Sequence, residues 1–294
     1  MDWILFFEST LNGGLIGTMY SLVAIGIVLI YKSSSVPNLA QGAMMMLGAY
    51  VVLALSKLGM PIWLAIPLGI GLMLFFGVAV ERVALRRLAG QPIVMILMMT
   101  LGLEIFLRAG SLTIWGNTGQ PLSLGISDSP LFLGPLLISR AHAVGAVIAV
   151  VMFGLFVLFF RTRIGVVLRA ISDDYTAAWS VGISVERGVA LSWAVSAGVA
   201  TIAGVLWGSV QGVNQDLALL LLKGLTVAVL GGLDSIGGAL LAGVLLGVVE
   251  GVASSFLDPL VGGSSRDLVD AMMLILTILV RPHGLFGRHA IERV

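Results

Sequence analysis

Apolar runs of roughly bilayer length alternate with short polar breaks along this chain. A helix crossing the roughly 30 Å hydrocarbon layer needs about 20 such residues. Windows near 12–31, 39–56, 61–80, 92–108, 141–160, 188–208, 217–232, 237–256 and 267–280 meet or approach that length. The pattern predicts an all-α, polytopic integral membrane protein with about eight to ten transmembrane helices. It is expected to form a single domain over residues 1–294. The short windows 92–108, 217–232 and 267–280 are expected to be tilted, re-entrant or broken. "MDWILFFESTLNGG" carries Asp2 and Glu8 and no basic start, so it reads as an amphipathic lead-in rather than a cleaved signal. The two longest polar connections are 109–140 and 161–187.

Composition sharpens this reading. The chain is 59% hydrophobic and 11% charged, against roughly 45–50% and 25% in soluble domains. So few charges cannot cover a water-soluble particle of this size. A net charge of +1 supplies no basic face for nucleic acid. The absence of cysteine excludes disulfides, thiolate metal sites and cysteine nucleophiles.

Lysine and arginine near span ends orient the chain. With the N-terminus outside, the cytoplasmic ends hold Lys32, Arg82, Arg86, Arg87, Arg161, Arg163, Arg169, Arg187, Arg281, Arg288 and Arg293. The other side keeps Lys57, Arg108, Arg140, Lys223 and Arg266. The opposite orientation would invert this bias, so the N-terminus is expected outside and the C-terminus in the cytoplasm. Segment 109–140 then faces outward, and "GNTGQPLSLG" within it suits turns and short extended pieces.

The inward segment "RTRIGVVLRAISDDYTAAWSVGISVER" differs in kind. Within it "SDDYTAAWSVG" reads as a short helix. Ser172 would cap it, Asp173 and Asp174 would favour its N-terminal dipole, and Gly182 would end it. A solvated connection has no need of such a helix, whereas a docking surface does.

Two glycine ladders, Gly204–Gly208–Gly212 and Gly243–Gly247–Gly251, have a spacing of four, which puts each on one helix face. The missing side chains let another backbone approach closely, for packing or for a moving, substrate-facing seam. Glu104, Glu250, Lys223 and Asp234 lie in or near apolar windows, where an ionisable group faces the protein interior or water. The plain alternatives are an intrahelical pair of Glu104 with Arg108, a turn at Asp234, and outward snorkelling of Lys223. In "KSSSVPNLAQGAMMMLGAY", Pro37 suits the start of a helix, and Asn38 and Gln41 would fall in its first turns. Their amides are expected to face the bundle or a cavity, because lipid offers no partner. Asn38, Gln41 and Gly42, with Glu104 and Glu250, are therefore candidates for a translocation pathway. Met44–Met46 suits adaptable packing or a hydrophobic path.

No catalytic equipment is apparent. "GIVLIYKS", residues 26–33, imitates a phosphate-binding loop but has Tyr31 where the second glycine belongs, and it ends an apolar helix. His142, His283 and His289 are too scattered for a metal cluster, and no serine sits in a G-x-S-x-G setting.

The stretch "YSLVAIGIVLIYKSSSVPNLAQGAMMMLGAY" resembles the opening of the LivH-type permeases of branched-chain amino acid ABC importers. "LRAISDDYTAAWSVGISVERGVALSWAVSAGVATIAGVL", "KGLTVAVLGGLDSIGGALLAGVLLGVVEG" and "RPHGLFG" follow in the family's order, so the resemblance covers roughly 12–288. It implies a translocation subunit, not an enzyme, that binds no cofactor or metal. Its partners would be a LivM-type second permease, two cytoplasmic ABC ATPases using ATP and magnesium, a periplasmic substrate-binding protein, and the lipid of a bacterial inner membrane. It also implies that Arg169–Ile183 is the ATPase-coupling segment, with Arg169, Asp173, Asp174, Tyr175, Ala177, Ala178, Gly182 and Ile183 in it. Leu39 and Gln41 stand where many relatives carry an aromatic residue and histidine. Urea, short amides and other small acids therefore stand beside branched-chain amino acids as substrates. An ATP-independent transporter or channel using Glu104 or Glu250 is the rival reading.

Overall fold

The computed structural model describes residues 3–88, 90–126, 129–173, 175–263 and 265–287. The described residues form eleven α-helices: α1 (Trp3–Ser34), α2 (Gln41–Lys57), α3 (Ile62–Val80), α4 (Ile93–Trp115), α5 (Arg140–Arg161), α6 (Arg163–Asp173), α7 (Tyr175–Ser180), α8 (Val185–Gln211), α9 (Leu220–Gly231), α10 (Ile236–Val261) and α11 (Ser265–Val280). A π-helical turn, Glu81–Leu85, and a 3-10 turn, Arg86–Leu88, continue α3. Two short strands, β1 (Leu131–Leu133) and β2 (Leu136–Ile138), form an antiparallel hairpin with Leu131 opposite Ile138, in the segment expected to hold extended pieces.

Each predicted apolar window carries a helix, with three differences. α1 is one continuous helix of 32 residues, so the lead-in is not a separate element. Its polar residues bond back to the helix: Ser9 Oγ donates to the Leu5 carbonyl, Thr10 Oγ1 to Phe6 and Asn12 Nδ2 to Glu8. Window 92–108 grows to 23 residues in α4. Among the described residues, six helical stretches are long and apolar enough to cross a bilayer: α1, α3 with its continuation, α4, α5, α8 and α10. At 17, 12 and 16 residues, α2, α9 and α11 are shorter.

The chain divides into two compact units: Met1–Ala24, Gly125–Phe153 and Leu222–Val294 form the first, and Ile25–Leu124 with Gly154–Leu221 the second. In the second unit α8 is the central element, packed along α2 and α3. Close approach there depends on absent side chains. A methyl on Gly77 would strike the Trp193 carbonyl, one on Gly204 the Met45 carbonyl, and one on Gly48 the Thr201 side chain. Met44, Met45 and Met46 are wholly buried, as adaptable packing requires. In the first unit α1 and α10 run antiparallel along a glycine-lined seam, and α10 packs on α11. Leu268, Met272, Ile275 and Leu279 of α11 remain exposed, an apolar face suited to hydrocarbon.

Candidate functional site

The segment 161–187 folds as two helices rather than one. In α6 the buried residues Gly165, Leu168 and Ile171 recur every three positions and turn one face toward α8. Ser172 and Asp173 belong to the last turn of α6, so Ser172 does not cap the following helix. The apolar spacing of α6 is the signal for this helix, and Ser172 and Asp173, expected to begin a helix, end one instead. Asp174 lies outside the described residues, and Tyr175 opens α7. Ile171, Ala178 and Val185 form a small core, with Val167, Ile183 and Val189 against it. Gly182 has φ = 83°, a backbone that disfavours other residues, and it ends the helix as expected. Arg169, Asp173 and Ala177 are exposed. So are Trp179 and Val181, at 72% and 75%. Large apolar side chains held outward on a small packed core make a knob.

The amides of Asn38 and Gln41 form a buried knot in the second unit. Asn38 precedes α2 rather than joining its first turn, because Asn38 Oδ1 accepts the Ala40 N–H at 2.9 Å, an Asx turn that competes with the helix. Asn38 Nδ2 donates to Gln41 Oε1 at 3.3 Å. Ser196 Oγ lies 2.8 Å from Gln41 Oε1 and 2.9 Å from the Gly26 carbonyl. Gln41 Nε2 donates to the Ser196 carbonyl at 3.4 Å. A methyl on Gly26 would stand where the Gln41 amide lies and displace it from this knot. Gly42 lets α2 meet the Ala218 carbonyl. Both amides are 1% exposed or less, so they face the bundle.

In the first unit Glu250 is 2% exposed and receives two partners. Lys223 Nζ lies 2.7 Å from Glu250 Oε1, and the Tyr20 hydroxyl donates to Oε2 at 3.2 Å. Lys223 also reaches the exposed Asp267 at 3.2 Å, but its own side chain is only 12% exposed and buried Glu250 holds it inward, so it does not snorkel outward. Glu8, Asn12, Glu250 and Arg266 line an adjoining polar cavity of about 140 Å³.

Residues 9–281 match the family model described as the branched-chain amino acid transport system / permease component. The chain belongs to this family. It is 32% identical to the high-affinity branched-chain amino acid transport system permease protein BraD of Pseudomonas aeruginosa, covering 98% of both chains. Identity to LivH of Escherichia coli K12 is 31%, over 100% of this chain and 99% of that one. Identity to the probable branched-chain amino acid transport permease protein LivH of Methanocaldococcus jannaschii is 27%, over 94% and 91%.

This membrane permease subunit keeps its other predicted residues in mainly structural surroundings. Glu104 pairs with Arg108 one turn along α4, at 3.2 Å, the plain alternative for that residue. Asp234 sits in the turn between α9 and α10. Gly204 and Gly208 face neighbours within the second unit, but Gly212 lies past the end of α8 with φ = 82°, so it stops the helix instead of extending the ladder. Gly243, Gly247 and Gly251 all pack on α1. Their partners, Ser9, Gly13, Gly17 and Ser21, were missed by sequence reasoning although they repeat the same spacing of four.

Proposed function

We propose that this permease subunit carries branched-chain amino acids through a bacterial inner membrane, with its N-terminus outside and its C-terminus in the cytoplasm. The names of the relatives support this substrate class, and the uneven lysine and arginine distribution supports the orientation. Residues 1–294 act as one permease domain beside a LivM-type permease. A periplasmic binding protein delivers substrate, and two cytoplasmic ATPases use ATP and magnesium. The chain itself binds no cofactor.

The observation that carries the energy-coupling part is the knob at 163–187. Trp179 and Val181 stand exposed on a core of Ile171, Ala178 and Val185, the form expected of a part that seats in another protein's groove. Arg169, Asp173, Asp174, Tyr175, Ala177, Ala178, Gly182 and Ile183 compose or flank it. Movement of the ATPases would pass through this segment and α8 and shift the permease between outward- and inward-open states. The chain needs only different affinities for its surroundings in the two states.

Reconstitution with the candidate partners tests this. Uptake of leucine into vesicles should require ATP and should survive collapse of ion gradients. Charge reversal at Asp173 and Asp174 should leave the chain inserted while separating ATP hydrolysis from uptake. Gradient-driven uptake by the chain alone would favour the ATP-independent transporter instead.

A further inference from the structure

The second unit holds a cavity of about 310 Å³ between the end of α1, the Glu81–Leu88 segment, the start of α4 and the start of α8. Its size is at the lower end for small-molecule sites. Its lining combines charged and aliphatic side chains. Among the charged residues Glu81, 2% exposed, is gripped by Arg86 through Nε at 3.3 Å and Nη2 at 3.2 Å. Arg86 Nη1 lies 3.4 Å from Glu186 Oε2. A guanidinium has five N–H donors; these contacts engage one on each nitrogen, so one N–H remains on Nη1 and one on Nη2. Glu81 and Arg86 neutralise each other, which leaves Glu186 as surplus negative charge with 65% of its side chain exposed. Ile30, Ile93, Ile96 and Val189 line the same space.

We propose that this cavity is a binding site for a zwitterionic aliphatic amino acid, with its ammonium on Glu186, its carboxylate on the spare N–H donors of Arg86, and its side chain among the isoleucines. The proposal rests on the permease reading above and adds a place within the chain. An anionic lipid is disfavoured because the three ionised groups sum to one negative charge. Urea or a short amide would leave the aliphatic lining without an apolar partner. The cavity also shares Val185 and Glu186 with a second one lined by Trp179, Gly182 and Ile183. An occupant therefore touches the start of α8, directly beside the coupling knob, and the site lies at the end of the unit where imported solute would leave.

The test is equilibrium binding of radiolabelled L-leucine to the full-length chain in lipid nanodiscs with its co-purifying subunits and no binding protein. 4-Methylpentanoate and 3-methylbutylamine, each lacking one charged group, serve as competitors. Leucine should bind saturably, and each half-ligand should compete about tenfold or more weakly, since hydrogen bonds to charged groups carry such factors. Glu186→Gln should weaken leucine about tenfold and leave 4-methylpentanoate bound at least as well as by the wild type, since it removes a carboxylate beside Arg86; retained binding of this half-ligand is the built-in control for folding. Ile96→Trp should abolish binding by filling the space. Absence of saturable binding, or wild-type affinity in both variants, overturns the site. Leucine uptake by the assembled vesicles is a separate readout: intact uptake without binding here removes the pocket alone, whereas absent uptake removes the substrate reading beneath it.

Discussion

Gly17 of α1 and Gly243 of α10 stand so close that a methyl group on Gly17 would overlap the Gly243 carbonyl oxygen. Gly13 meets Gly247 in the same way, and Ser9 meets Gly251. Two sequence segments more than 200 residues apart thus share one backbone-to-backbone seam. Between apolar helices in lipid, such close packing replaces the hydrophobic driving force.

Replacing Gly17 with Ala should therefore destabilise the purified protein by about 1–3 kcal/mol, the range for overpacking. Gly154→Ala is the control, because its methyl would meet no atom within 4 Å and alanine favours helix by about 1 kcal/mol. Thermal unfolding in detergent should move the two variants in opposite directions. Equal shifts would mean that the seam tolerates the methyl group.

The Lys223–Glu250 pair is almost fully enclosed, with side chains 12% and 3% exposed. Lys223→Met alone should cost about 3–5 kcal/mol by leaving a buried carboxylate without its cation. The double variant Lys223→Met, Glu250→Gln should recover much of that loss. A folded-fraction assay by size-exclusion chromatography reads the difference; additive losses would show that the pair does not act as a unit.

Gln41→Leu should cost about 1–3 kcal/mol, because Asn38 Nδ2 would lose its oxygen acceptor in a buried site and Ser196 Oγ would keep only the Gly26 carbonyl. Adding Ser196→Ala should cost less than the sum of the single changes. Unfolding midpoints for the four proteins of this cycle check the coupling.

Trp179→Ala should leave stability within about 0.5 kcal/mol, as expected for an exposed position. Uptake should fall with it. Parallel measurement of unfolding temperature and ATP-dependent leucine uptake tests the docking role of α7; unchanged uptake removes Trp179 from that surface.

Glu104→Gln should change stability by no more than about 0.5 kcal/mol and leave uptake intact, because Glu104 serves a partly exposed i,i+4 pair with Arg108. Loss of uptake with the fold preserved would return Glu104 to the translocation pathway.

Apolar run length and glycine, both local properties, were enough to foretell the helices, the turn at Asp234, the stop at Gly182 and a helical element between 161 and 187. Helix α6 was also legible, in the spacing of Gly165, Leu168 and Ile171, but the polar residues at its end drew the reading away from it. What a residue meets across the fold is not local. Lys223 could have snorkelled, and only tertiary packing brings it between Glu250 and Asp267. Tyr20 and Glu250 are 230 residues apart, and nothing in either neighbourhood names the other. Hydropathy says which residues leave water, because transfer free energy belongs to each side chain; which buried groups then satisfy one another depends on where distant backbones come to rest.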